Sequence, residues 1–170
     1  RVEHFVPPDS GRRHAMRLVM ELLAYQPAGR GTKLSTALEY AGRVLHQRTT
    51  VFLISDFQFD EDSDPAFASD ARRFSREHDL VAIRLHDPGA ESLPDVGMLA
   101  LADPETGRRR LVDTSDARVR DEYSSRRSAQ RDAIEAQFMQ LRSDMIHVSS
   151  AEDYVPALIG FFRRRDRVTR

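Results

Sequence analysis

Four consecutive large apolar residues, Val51-Phe52-Leu53-Ile54, constrain this chain more than any other stretch. Thr49-Thr50 precede them, and Ser55-Asp56-Phe57 ends the run. A segment that is apolar at every position reads as a strand buried on both faces, the habit of parallel sheets. Its carboxyl end then points to the edge where open α/β sheets bind their ligands. A carboxylate placed there costs desolvation unless it caps, pairs or holds a cation. For Asp56 the simplest alternative to a binding role is capping the turn that follows.

The rest of the chain fits helices around such a sheet. Val2 to Val6 reads as a strand stopped by Pro7-Pro8, after which Asp9 or Ser10 can cap a helix reaching Tyr25. A Gly- and Pro-rich loop, Gln26 to Gly31, precedes a second helix with Leu34, Leu38, Ala41 and Leu45 on one face. Thr32 is that helix's N-cap by position. The central strand follows, and then the acidic loop Asp60-Glu61-Asp62-Ser63-Asp64. A helix from Pro65 to His78 and a strand from Asp79 to Leu85 complete a strand–helix–strand crossover. Residues 97–102 and 108–112 read as a hairpin with Gly107 at positive φ. A long charged helix from Ser115 to Ser143, a strand Met145 to Val148 and a last helix from Ala151 bring the chain to its basic tail.

These 170 residues suffice for one domain with a proper core. A formal net charge of -1 leaves no global field for nucleic acid or acidic membranes. The absence of cysteine removes disulfides and thiolate chemistry, and fits a reducing compartment such as the cytoplasm. No apolar run reaches the length of a membrane span, so membrane insertion by these residues is not expected. The opening Arg1-Val2-Glu3-His4 has no initiator Met and reads as part of a longer protein.

The pair with chemical interest is Thr32 and Asp56. In a parallel sheet both fall on the carboxyl edge, so a hydroxyl and a carboxylate can approach one point. With retained waters, such oxygens suit a hard divalent cation such as Mg²⁺. The runs Gly31-Thr32-Lys33-Leu34-Ser35-Thr36-Ala37-Leu38 and Val51 to Phe57 resemble the second and third motifs of von Willebrand factor A domains. With Val6-Pro7-Pro8, Leu93-Pro94-Asp95-Val96-Gly97, Asp103-Pro104-Glu105-Thr106-Gly107, Val112-Asp113-Thr114-Ser115 and Glu152-Asp153-Tyr154-Val155-Pro156-Ala157-Leu158, the chain resembles domain-of-unknown-function family 58 nearly end to end.

That resemblance implies a single α/β domain over residues 1–170, a Rossmann-like three-layer fold with a mainly parallel sheet, helices on both faces and a β-hairpin. It also implies a metal-ion-dependent adhesion site, with Thr32 a direct or near ligand and Asp56 a ligand through water. The adhesion site's first motif, Asp-x-Ser-x-Ser, is not found, and the resemblance places it with a first strand and helix upstream of Arg1. Lys33 stands where relatives often carry an acidic residue. These residues alone are therefore expected to bind Mg²⁺ poorly. A gap beside the Val51 strand could allow homodimerisation by strand pairing.

The family implies a non-enzymatic protein-interaction module working with a MoxR-type AAA+ ATPase in the cytoplasm, the full-length protein being attached to a membrane through other segments in some members. The rival is a receiver-like or other Rossmann-like enzyme using Asp56 as phosphoacceptor or metal ligand, although receivers place their Thr and Lys after the Asp strand. Other candidates carry less. Asp60, Asp62 and Asp64 mimic a calcium loop, but Pro65 and Ala71 stand where its glycine and glutamate belong. Asp113-Thr114-Ser115-Asp116-Ala117 reads as a helix cap, and His78-Asp79 and His86-Asp87 as capping or edge hydrogen bonding. Arg108-Arg109-Arg110, Arg126-Arg127 and Arg163-Arg164-Arg165 read as solvated faces, not a nucleic-acid surface.

Overall fold

The computed structural model describes residues 1–28, 31–58, 64–102 and 107–168. Most of the acidic loop (Asp60 to Ser63) and most of the hairpin turn (Asp103 to Thr106) lie outside these described residues. Helices α1 (Gly11–Ala24) and α2 (Leu34–Val44) precede strand β1 (Thr50–Ser55). Helix α3 (Phe67–Glu77) leads to β2 (Asp79–His86), and a single 3-10 turn, Pro88–Ala90, follows. The hairpin β3 (Met98–Ala102) and β4 (Arg109–Asp113) comes next, then α4 (Ala117–Gln140), β5 (Asp144–Ser149) and α5 (Val155–Val168). The fold is α/β: a parallel sheet in the order β1-β2-β5, helices on both of its faces, and a separate antiparallel hairpin.

Alternation along β2 divides the core. Leu80 and Ala82 face Leu34 and Leu38 of α2, Phe67, Ala71 and Phe74 of α3, and Ile134 and Phe138 of α4. Val81 faces the other way and meets Ile146 of β5 and Phe161 of α5. Each fully buried ring or aliphatic chain contributes about 1.5–3 kcal/mol, so the first face, with ten buried residues, dominates.

Two expectations need correction. Residues 2–6 form no strand; residues 1–10 have no regular secondary structure. Polar side chains hold the segment instead: Tyr25 Oη and the Ala28 amide donate to Glu3 at 2.8 and 3.0 Å, and His4 Nε2 lies 2.8 Å from Glu21. Phe5 meets Tyr40 of α2 edge-on, with ring centroids 5.7 Å apart. Val2, Phe5 and Val6 are apolar enough for a strand, but these contacts draw the segment to α1 and α2 and away from the sheet. Nor is β1 buried on both faces. Val51 and Leu53 pack on the main core, whereas Ile54 is 59% exposed. The strand ends the sheet, and the rings of Phe161 and Phe162 from α5 reach it at Phe52.

At the opposite, amino edge, Arg165 of α5 ties two strands together. Its guanidinium donates to both carboxylate oxygens of Asp79, one of them at 2.8 Å, and to Asp144 at 2.9 Å. Those hydrogen bonds from Arg165 hold the Asp79 carboxyl below its ordinary range, with Thr50 adding a smaller contribution. The basic tail is thus solvated only in part.

Candidate functional site at the carboxyl edge

The turn after β1 is built by its own side chains. The Phe57 amide donates to Ser55 Oγ at 3.0 Å, and the Gln58 amide donates to Asp56 Oδ1 at 3.2 Å. Both are the local hydrogen bonds by which Ser and Asp stabilise turns. Phe57 itself adopts φ 53, in the left-handed region where a bulky side chain is disfavoured by about 1–2 kcal/mol. Burial of its ring offsets that strain. Phe57 is 2% exposed and packs on Phe138 and Phe67, with centroids 5.5 and 6.4 Å away. Phe67 and Phe138 also meet each other at 6.2 Å, closing a three-ring cluster beneath the turn. The anchored ring fixes the backbone, and Asp56, one residue before it, is left exposed at the sheet's carboxyl edge.

Thr32 lies half-buried just before α2, on the same edge. It is not the N-cap: that position belongs to Lys33, which makes no side-chain cap bond. The cap comes from a distance. Asp64, 4% exposed, accepts the Ser35 amide at 2.9 Å, while its own carbonyl accepts the Phe67 amide at 3.0 Å. A carboxylate at a helix start satisfies an orphan amide and complements the helix dipole. Asp64 therefore joins the starts of α2 and α3, and is no solvated turn residue. No hydrogen bond links Thr32 to Asp56 among the described residues. Asp56 performs the turn-capping role weighed for it, and its second carboxylate oxygen has no bond there.

Beside Asp56 opens a small cleft, about 10 Å³ in volume, lined by Asp56, Phe57, Gln58, Arg84, Arg127, Gln130, Arg131 and Ile134. Arg84 stands opposite Ser55 in the β1–β2 register and is only 8% exposed. Arg127 and Arg131 come from α4. Glu91, just past the 3-10 turn, approaches Arg84 at 3.8 Å and Arg131 at 3.4 Å. Arg131 also donates to Ser128 Oγ at 2.9 Å. The surplus positive charge is felt nearby. Burial is the main reason the His147 imidazole is held below its ordinary pKa; Glu135 opposes the shift, and Arg84 and Arg131 add to it.

Three guanidiniums against one lining carboxylate do not fit a divalent cation, which needs several anionic or carbonyl oxygens. Among the described residues no three acidic or histidine side chains gather in a metal-holding group. The arginines were missed in the sequence, and the available signal was Arg84, a single charge inside the apolar run of β2.

The remaining motifs are structural. Asp116 caps α4 by accepting the Arg118 amide at 2.9 Å, so the helix starts at Ala117. Thr114, fully buried, donates to the Gly97 carbonyl at 2.8 Å and accepts the Val96 amide at 3.1 Å, closing the hairpin's base. Asp87 accepts the Gly89 amide at 2.9 Å, and the His78 ring lies tilted against Phe74 at 4.5 Å; the buried Nδ1 atoms of His78 and His86 have no hydrogen-bond partner among the described residues, so the edge hydrogen bonding expected of them is not seen there.

Residues 1–133 match the family described as "Protein of unknown function DUF58". The chain belongs to the DUF58 family. It is similar to Uncharacterized protein MAV169 of Mycobacterium avium, at 27% identity covering 95% of this chain and 94% of that protein. It is also similar to Uncharacterized protein Mb1516 of Mycobacterium bovis and Uncharacterized protein Rv1480 of Mycobacterium tuberculosis, each at 26% identity over 95% of this chain. The chain spans about half the length of those two DUF58 relatives, 50% in each case. No solved structure matches it. No helix among the described residues is long and apolar enough to cross a membrane.

Proposed function

We propose that this DUF58 chain is a non-enzymatic protein-interaction module of the von Willebrand factor A type, presenting the carboxyl edge of its sheet to a partner. The observation that carries this reading is the Ser55–Gln58 turn. A strained backbone at Phe57 is held by a buried ring, and the product of that strain is an exposed carboxylate at Asp56 beside a cleft. Strain of this kind gathers at binding and catalytic sites. The partner class, a MoxR-type AAA+ ATPase in the cytoplasm, comes from the family resemblance alone, as does a role in assembling or maturing other complexes.

Divalent cation has little part in this reading for the residues present. Titration of the chain with Mg²⁺ or Mn²⁺ in a calorimeter is expected to give no binding tighter than millimolar. Micromolar affinity abolished by Asp56→Ala would show instead that Thr32 and Asp56 form a working cation site.

The functional test is binding of an immobilised MoxR-type ATPase to the chain. Asp56→Ala is expected to weaken binding about tenfold, which corresponds to 1.4 kcal/mol, with thermal unfolding lowered only by the loss of its exposed turn hydrogen bond to Gln58. Equal binding by the variant overturns the reading. Beryllofluoride, a mimic of a phosphorylated Asp, is expected to leave binding unchanged; a large effect would favour the receiver-like alternative.

A further inference from the structure

Arg84 poses a problem of charge. A guanidinium buried to this degree costs several kcal/mol unless its donors are paired, yet the carboxylate that approaches it, Glu91, stands off at 3.8 Å, beyond hydrogen-bond reach. Arg131 shares the same Glu91 at 3.4 Å. Arg127, half-buried on the wall of the cleft, has no hydrogen bond or ion pair among the described residues. Gln58 adds a carboxamide to the same lining. Glu91 thus reaches two of three converging guanidiniums and satisfies neither fully.

We infer that this cleft is a receptor for a carboxylate on a partner protein, an Asp or Glu side chain from an acidic segment, which displaces Glu91 and is held by Arg84, Arg127 and Arg131. Arginine's planar fork matches a carboxylate with two parallel hydrogen bonds, and such pairs strengthen where water is excluded. About 10 Å³ is the room of one water molecule. That space admits one oxygen of an anion in the water's place. The resident Glu91 already shows which anion the arginines accept. The partner's acidic group therefore meets the protein's own cations, with no bridging metal. This deepens the interaction-module reading and rests on it, but makes no use of the ATPase as the partner.

The probe is a fluorescent peptide of five glutamates, titrated against the chain by anisotropy at low salt. Arg127→Ala is expected to weaken binding at least tenfold, and Arg127→Lys by less. Glu91→Gln, which removes the internal competitor and keeps its size, is expected to tighten binding severalfold. Because a generic loss of structure cannot tighten binding, that variant separates the proposal from misfolding. Equal affinity in Arg127→Ala, or weaker binding in Glu91→Gln, overturns the inference. Inorganic phosphate at matched ionic strength is expected not to compete. Displacement of the peptide by phosphate, or tighter binding of a phosphopeptide, would make the cleft a phosphate site and overturn the carboxylate assignment. ATPase binding measured on the same variants separates the two readings. ATPase bound by wild type and weakened in Asp56→Ala, with no peptide binding by wild type, removes this inference alone, and peptide binding without ATPase binding removes only the choice of partner.

Discussion

Helices α1 and α4 make opposite use of their sequences. Over its 24 residues α4 is polar nearly all round, yet Ile134 and Phe138 lock it to the sheet and two of its arginines wall the cleft. α1 is the more amphipathic by sequence, with Met16, Val19, Met20, Leu22 and Leu23, and none of its 14 residues is buried. Amphipathic spacing makes a helix able to dock, but only a facing apolar surface makes it dock. α4 finds one in the rings of Phe57 and Phe67. α1 is tied by polar contacts, His4 to Glu21 and Tyr25 to Glu3.

The largest test of this contrast is Phe138→Ala, which leaves a cavity at the three-ring cluster and is expected to cost about 3–5 kcal/mol. Urea denaturation reads it directly, and a loss under 1 kcal/mol would mean that α4 is not the anchored helix. Asp64→Ala removes the distant cap of α2 and orphans the Ser35 amide. A loss of about 1–2 kcal/mol is expected, and no change would show that water replaces the cap.

Arg165→Met comes next, at about 1 kcal/mol, because the guanidinium is 33% exposed and partly screened. Its signature is in the pH dependence. The folded pKa of Asp79 lies below its unfolded value. The stabilisation is therefore present above the unfolded value of about 4 and fades as pH falls through the lower folded value. Arg165→Met is expected to flatten that acid limb of a stability–pH curve; an unchanged slope would remove the ion pair from the account. Smallest is Leu23→Ala in α1, where a residue 78% exposed is expected to shift stability by less than about 0.5 kcal/mol. Hydrogen exchange sharpens the point: amides of α1 should exchange far faster than those flanking Phe138.

What the sequence made legible follows the same division. β1, β2 and β5 were readable because their apolar runs are local patterns, and the hairpin because Gly107 takes the left-handed turn conformation, at φ 70. Val2 to Val6 also carries apolar residues and makes no strand, since composition does not supply a neighbouring strand. Counting elements puts Thr32 and Asp56 at one sheet edge, and no hydrogen bond joins them among the described residues. The Asp64 cap spans 29 residues, the Arg165–Asp79 pair 86, and the approach of Arg131 to Glu91 40. None of these pairings leaves a local spacing to read. Arg84 was visible, but a charge in a strand says only that some partner exists.

Phe57 carries a consequence for how this protein can change. Two demands meet at one residue: its backbone prefers glycine or asparagine, while its side chain must fill the gap between Phe67 and Phe138. No amino acid meets both, so each substitution trades relief at the turn for a hole in the interior. Selection for a sturdier fold and selection for a better-aimed Asp56 therefore act on the same position and cannot be satisfied separately. Drift in the aromatic interior is felt at the rim as a change in aim, and variants that lose binding should be found among interior residues that no partner ever touches.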